Sequence, residues 1–103
     1  MAETQDITRP IVDALTQLGI YCLRLNSGKV RVRGGWMTLC PEGTADIVIF
    51  PRGRMPVWVE TKTKTGKLRT AQVVFAGKII DLGHSYWTIR SLDEMLKLAG
   101  GLR

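Results

Sequence analysis

Residues 43–72 read GTADIVIFPRGRMPVWVETKTKTGKLRTAQ and contain two short, mainly apolar runs, at 46–50 and 57–62. Runs of this length and composition are typical of buried β-strands. Positions 51–56 between them hold two prolines and a glycine, which favour a turn. If the two strands pair antiparallel, the polar residue that begins the first lies beside the polar residues that end the second.

The polar residues at these strand ends are of types that bind divalent cations and phosphate. Asp46 begins the first run, and Glu60 and Lys62 end the second on one face, because side chains two residues apart on a strand point the same way. Asp46 and Glu60 would supply the carboxylates that Mg²⁺ or Mn²⁺ prefers, with the backbone carbonyl of Thr61 as a further ligand. Lys62 would orient an attacking water or stabilise charge on a transferring phosphate. This set predicts a site for phosphodiester hydrolysis.

Each of these features alone has an ordinary structural explanation. Glu-x-Lys is common on exposed strand faces, and an aspartate before a strand is often a turn residue. Their conjunction in one segment, followed by a basic loop and Gln72, favours the catalytic interpretation. Two alternatives of other classes stay open: a nucleic-acid-binding module without catalysis and a protein–protein adaptor.

The apolar residues outside and around this segment predict further strands and three helices. The predicted elements are a helix at 7–18, a strand at 20–25, a hairpin of strands 29–33 and 36–40 with a Gly34-Gly35 turn, the strands 46–50 and 57–62, a helix at 72–82, a strand at 85–89 and a helix at 92–98. This order, without linker or repeat, predicts one α/β domain over residues 1–103, with helices flanking a mixed sheet.

Three details of the helices are also predicted. Pro10 fits only in the first turn of a helix, so the first helix either begins near Thr8 or is kinked there. Ser91 and Glu94 have the spacing of a capping box at the start of the third helix. In the second helix, residues at helical spacing would face the core: Gln72, Phe75, Ile79 and Leu82, with Ala76 and Ile80 alongside.

The chain is basic, with a net charge of +6, and its charge is unevenly distributed. Between Arg24 and Arg69 lie ten basic residues, counting both ends, and three acidic ones. Such a surface suits a phosphate backbone, although a solvated face that aids solubility is the alternative. The polar, acidic N-terminus does not resemble a secretion signal, and no apolar run reaches the roughly 20 residues of a membrane helix. We therefore expect a cytoplasmic protein with no membrane contact.

Cysteine and histidine are too few for a structural zinc site. Cys22, Cys40 and His84 are the only such residues, and they lack zinc-ligand spacing. In a reducing compartment the two thiols are most simply small core residues, with a disulfide or redox role as the alternative. His84 follows Gly83 at the end of a predicted helix, where a surface or capping role is expected.

The motifs of this chain resemble those of the VRR-NUC family within the PD-(D/E)xK nuclease superfamily. The resemblance covers nearly the whole chain and includes the order of elements. The matching residues are 26–28 (NSG), 43–46 (GTAD), 59–62 (VETK), 66–68 (GKL) and Gln72. The chain departs from the superfamily pattern at Ala45, which stands where the motif has proline.

The resemblance implies a PD-(D/E)xK-like α-β-β-β-α-β core and a Mg²⁺- or Mn²⁺-dependent DNA endonuclease of phage or bacterial type, acting as a homodimer. Carried onto this sequence, it implies that Asp46 and Glu60 bind metal and that Lys62 is the catalytic lysine. Gln72 would support the catalytic site from the second helix. An acidic residue on the first helix completes many such sites, and Glu3 is the match here. An RNA-directed nuclease of the same superfamily is the alternative.

Substrate contacts are expected from basic residues near the predicted site. The candidates for phosphate binding are Arg31, Arg33, Lys64, Lys67 and Arg69. No recognition helix or base-reading module is evident, so we expect selection of DNA shape, such as branches or four-way (Holliday) junctions, over a sequence-specific cut. Trp36 and Trp58 could stack on bases, although packing in the core or between subunits is the commoner role of such residues.

Overall fold

The computed structural model describes residues 6–102, which form three helices and six strands. In chain order these are α1 (Thr8–Gln17), β1 (Tyr21–Arg24), β2 (Lys29–Val32), β3 (Gly35–Thr38), β4 (Ile47–Phe50), β5 (Val57–Thr61), α2 (Thr70–Asp81), β6 (Ser85–Ile89) and α3 (Leu92–Ala99). The predicted order is confirmed. Without the β2–β3 hairpin and α3, the elements form the expected α-β-β-β-α-β core.

The central sheet is mixed and has the strand order β1-β4-β5-β6. Strand β4 pairs antiparallel with both β1 and β5, whereas β5 and β6 run parallel and are connected through α2. The register sets Ile47 opposite Val59, so Asp46 lies across from Glu60. The predicted antiparallel return of Asp46 to the end of the second strand is therefore confirmed.

Helices cover both faces of this sheet. On one face, α1 and α3 pack against alternate residues of the strands; the largest fully buried side chains are Ile11, Leu15, Ile47, Ile49, Val59, Ile89 and Met95. On the other face, the ring of Phe75 in α2 lies 5.6 Å from that of Trp58 and 6.2 Å from that of Tyr86, between centroids. Because side chains alternate along a strand, Glu60 shares the α2 face with Trp58, and Thr61 shares the α1 face.

The ends of α1 and α2 follow their predicted signals. Helix α1 begins at Thr8, so Pro10 lies in its first turn and causes no break. At the end of α2, Gly83 has a φ of 89° and the N–H of His84 donates to the carbonyl of Ile79 at 3.0 Å. This bond completes a Schellman-type cap, which is the capping role expected for His84.

The predicted inward face of α2 is partly wrong. Gln72 and Ala76 are buried, as expected, but Ile80 and Leu82 are 59% and 70% exposed. Val73 and Val74, near the start of the same helix, are also 54% and 51% exposed, so the sheet covers only one side of α2. Helical spacing alone does not distinguish a covered apolar residue from an uncovered one when a helix is apolar on several sides.

Strands β2 and β3 form a two-stranded sheet of their own, and every residue from 29 to 38 is exposed. The hairpin was predicted, but its turn is shifted by one position. Val32 pairs with Gly35, so Arg33 and Gly34 occupy the turn rather than Gly34 and Gly35. Trp36 in β3 is 66% exposed and is therefore not a core residue.

Both cysteines carry free, partly buried thiols. Cys22 packs against the core, and burial raises the pKa of its thiol. Cys40 lies at the base of the hairpin, where its backbone forms an isolated parallel β-bridge with that of Ser27. Between residues 6 and 102, none of the helices has the length and apolar character needed to cross a membrane.

Candidate active site

Asp46 is held in place from the neighbouring strand. Its Oδ2 accepts hydrogen bonds from both the backbone N–H and the hydroxyl of Thr61, each at 2.8 Å. The Thr61 hydroxyl is in turn 2.7 Å from that of Thr8 in α1, and because Thr61 donates to Asp46, Thr8 is the donor to Thr61. These contacts orient the carboxylate and leave Oδ1 as the oxygen that could bind a cation.

Glu60 is only 3% exposed, and its two carboxylate oxygens have different surroundings. Oε2 accepts a hydrogen bond from Nε2 of Gln72 at 3.0 Å. Oε1 is buried and no N–H or hydroxyl group of the described residues donates to it, although a protonated Glu60 makes a side-chain hydrogen bond to Asp46. A buried carboxylate oxygen without a partner is costly, and a bound cation is one way to satisfy it.

The electrostatics of Glu60 also favour a positive ligand. Burial and the adjacent Asp46 carboxylate raise the pKa of Glu60 to about 8, while Lys62 and Arg69 act in the opposite direction. Two carboxylates this close are not both ionised at low cost without a compensating positive charge. A divalent cation would supply that charge and allow both groups to be ionised at neutral pH.

Gln72 connects Glu60 to the start of α2. Its Oε1 accepts from the backbone N–H of Arg69 at 2.8 Å, which satisfies a free donor at the helix N-terminus. The orientation of its amide is thereby fixed, so that Nε2 faces Glu60. The predicted support of the site from the second helix thus has a physical basis in these two hydrogen bonds.

Gly43 allows the segment before β4 to approach α2 closely. Its φ is 90°, a left-handed value that side-chain-bearing residues rarely adopt. A Cβ at this position would overlap the backbone carbonyl of Ala71, the residue before Gln72. The glycine of the GTAD motif therefore sets the distance between the elements that carry Asp46 and Gln72.

Lys62 lies one residue beyond β5 and is half-buried. Its backbone N–H donates to the carbonyl of Ile89 at 3.0 Å, so the chain continues along the sheet past the end of the strand. Lys62 therefore keeps the alternation of β5 and stays on the Glu60 face. The positive charge of Lys62 acts to lower the pKa of Glu60, against the effects of burial and of Asp46.

Tyr86 and Arg90 are two residues near this site that the sequence analysis missed. Tyr86 pairs with Trp58, and its buried hydroxyl has no partner among the described residues. Burial and the charges of the two site carboxylates raise the pKa of this phenol. Arg90 donates to the carbonyls of Thr63 and Gly66, at 2.8 and 2.5 Å, and so fixes the loop after β5. The alternation of side chains along β6 is the sequence signal that could have placed Tyr86 on the same face of the sheet as Trp58.

The predicted phosphate-binding residues fall in two regions. Arg69 directly precedes α2, close enough to act on the pKa of Glu60, and Lys64 and Lys67 are exposed on the loop between β5 and α2. Arg31 and Arg33 lie on the separate hairpin, which joins the body beside the Asp46 segment. The structure therefore does not bring all five side chains together.

The residues present fit a divalent cation held by few protein ligands. No group of three His, Cys, Asp or Glu side chains suited to a metal occurs within residues 6–102. Mg²⁺ commonly binds through one or two carboxylates together with waters and substrate phosphate, and Asp46 and Glu60 meet that requirement. Glu3, the third predicted ligand, lies outside the described residues.

Comparison with known proteins gives a match at the level of structure. No protein-family model and no curated protein matches the sequence. A solved structure described as a VRR_NUC domain superposes with a TM-score of 0.65 over 94% of both chains, at 17% sequence identity. Likeness at this identity concerns the fold, and it extends over nearly the whole chain. The protein therefore has the nuclease-type fold of a VRR_NUC domain, the family that its motifs resemble.

Proposed function

We propose that this protein is a divalent-cation-dependent DNA endonuclease that hydrolyses phosphodiester bonds and selects its substrate by shape. One observation carries the proposal: on a VRR_NUC fold, Asp46 and Glu60 lie across from each other on antiparallel strands, and within residues 6–102 no N–H or hydroxyl group donates to the buried Oε1 of Glu60. Neither residue would need this arrangement in a module that only binds nucleic acid.

Each residue of the site has a distinct role in this proposal. Asp46, Glu60 and the carbonyl of Thr61 hold Mg²⁺ or Mn²⁺, and Glu3 adds a third carboxylate. When bound, the cation supplies an activated water and neutralises charge on the phosphate. Gln72 holds Oε2 of Glu60, so that Oε1 is directed to the site. Lys62 donates to the scissile phosphate and stabilises the negative charge that develops there.

The basic residues support DNA as the substrate. Lys64, Lys67 and Arg69 adjoin the carboxylates along the chain, and Arg31 and Arg33 extend the positive surface onto the hairpin. Contacts of this kind bind phosphates and carry no sequence information. We therefore infer that the enzyme selects branched DNA, including four-way junctions. Such a substrate implies action inside the cell, in bacterial or phage-infected cytoplasm.

A homodimer fits both the surface and the substrate. Val73 and Ile80, seven residues apart and therefore on one face of α2, are 54% and 59% exposed. A second copy on this face would bury them, and two sites related by a two-fold axis would suit two strands of a junction. Sedimentation of the wild type beside Ile80→Lys tests this, with dissociation expected for the variant. A monomeric wild type at micromolar concentration would contradict the dimer.

The decisive experiment is cleavage of labelled substrates by the wild type and Glu60→Gln. Blunt duplex, flap, four-way junction and single-stranded DNA, with matched RNA, are incubated with Mg²⁺, Mn²⁺ or chelator at one salt concentration. We expect metal-dependent cutting of branched DNA that Glu60→Gln abolishes and that Glu42→Gln, an exposed acid, retains. Tight binding without cutting under any metal would instead identify a binding module, and preferred cutting of RNA would identify an RNA nuclease.

A further inference from the structure

The β2–β3 hairpin has a surface that the proposed active site does not account for. Residues 29–38, here called the basic hairpin, include three basic residues and no acid. All ten are exposed, and the hairpin pairs with no strand of the central sheet. The two chain segments at its base are joined to each other by backbone hydrogen bonds, such as the one from the N–H of Cys40 to the carbonyl of Asn26, at 2.9 Å.

The most exposed large side chain of the basic hairpin is Trp36. It is 66% exposed, and its cross-strand partner Arg31 carries a guanidinium carbon 5.9 Å from the centre of its ring. The contact with Arg31 is an attractive cation–π pair across the hairpin, and the exposed part of the indole remains free to contact a ligand. An aromatic face with positive charges around it is the arrangement on which single-stranded nucleic acids stack.

The basic hairpin is also within reach of DNA bound at the carboxylates. The N–H of Leu25 donates to the carbonyl of Asp46 at 2.7 Å, and Arg31 follows Leu25 by six residues. An extended chain of that length covers at most roughly 20 Å. At 3.4 Å per base pair, this corresponds to about six base pairs of DNA. One DNA molecule can therefore contact both regions.

We propose that Trp36 stacks on an unpaired base of the substrate while Arg31, Lys29 and Arg33 bind the adjacent phosphates. The basic hairpin thereby gives preference to DNA with unstacked bases near the cut. This rests on the proposed function only in taking DNA as the ligand. A second copy of the chain is a poorer occupant, because two hairpins that each carry three positive charges and no acid repel one another.

The test measures binding in chelator, so that no cutting is needed. Dissociation constants of the wild type, Trp36→Ala and Trp36→Phe are compared on single-stranded, forked and blunt duplex DNA at one salt concentration. We expect Trp36→Ala to weaken binding to single-stranded and forked DNA by roughly ten-fold, a usual loss for one stacked base, and to leave blunt duplex within about two-fold. Trp36→Phe keeps a stacking ring and should retain most of the affinity.

The matched control is Tyr21→Ala, since Tyr21 is 65% exposed and lies at the end of β1 far from Asp46. It should bind every DNA as the wild type does. An equal loss on blunt and unpaired DNA, or no loss, for Trp36→Ala overturns the proposal. So does a change of oligomeric state in that variant, since the ring would then cover another subunit. Binding of this pattern by a protein that never cuts would refute the nuclease and leave the stacking role intact.

Discussion

The carboxylate site and the basic hairpin differ in how the fold holds their side chains. Glu60 and Gln72 are buried, and Asp46 is oriented by hydrogen bonds from a neighbouring strand. Arg31 and Trp36 are exposed, and no main-sheet strand supports them. Bond hydrolysis requires atoms fixed within a fraction of an ångström, whereas backbone binding tolerates variation in geometry. We infer that the first region determines rate and the second determines affinity.

The largest expected effect is on the rate, from Lys62→Ala. Removal of a group that stabilises charge at the reacting phosphate should lower single-turnover cutting by about 10²-fold to 10³-fold. DNA affinity should change by only a few-fold, since other basic residues remain. Lys97→Ala, an exposed lysine at the end of α3, is the control and should cut normally. Retained cutting in Lys62→Ala would mean that another group has this role.

The next effect concerns stability, because the site region is closely packed. In Gly43→Ala the new side chain would have to adopt a left-handed φ and would overlap the backbone of Ala71. We therefore expect the free energy of unfolding to fall by about 2 kcal/mol or more. Gly53→Ala is the matched control: its φ is 71°, but the space around it is open. Urea unfolding should give a loss of about 1 kcal/mol there. Equal losses in the two variants would show that the contact with α2 is unimportant.

The buried region should also differ from the hairpin in its pH dependence. The folded pKa of Glu60, about 8, exceeds its ordinary value of 4.5. Between these values the folded protein holds a proton that the unfolded chain has lost. The free energy of unfolding in chelator should therefore fall as pH rises from 4.5 to 8, by up to about 1.4 kcal/mol per pH unit from this group. Glu60→Gln should remove this part of the slope, and an unchanged slope would contradict it.

The smallest effect is expected on the hairpin. Arg31→Gln should weaken binding to every DNA by a few-fold and reduce the salt dependence of the binding constant by about one phosphate contact. Thermal stability should be unchanged, because the side chain is exposed. Arg52→Gln, beyond the end of β4 opposite to Asp46, is the control and should keep the wild-type salt slope. A large loss of stability in Arg31→Gln would mean that this side chain supports the fold, which would contradict the inference that the hairpin serves affinity alone.

Local signals were sufficient for the elements and for the placement of Asp46 across from Glu60 on neighbouring strands. Short apolar runs and turn residues predicted β4 and β5, and the i, i+2 spacing of Glu60 and Lys62 predicted their common face. Glycine at the ends of α1 and α2 predicted where those helices stop. Such patterns depend on neighbours in sequence, which is why they are readable without a structure.

Contacts between distant residues were not predictable in the same way. The Thr8–Thr61 hydrogen bond joins residues 53 positions apart, and no pattern near either one indicates it. The link from Arg90 to the loop at Gly66 is of the same kind. Exposure of Leu82 was missed because it depends on which side of α2 the sheet covers. These features follow from tertiary packing and so require the assembled fold.

Because β5 pairs in parallel with β6, which follows it by more than twenty residues, the carboxylate site is completed late during synthesis. Asp46 and Glu60 emerge from the ribosome before α2, but the amide of Gln72 and the carbonyl of Ile89 complete the surroundings of Glu60 and Lys62. Contacts of such sequence separation form late, after the intervening chain is available. We expect a nascent chain that ends before Ile89 to lack an assembled carboxylate site.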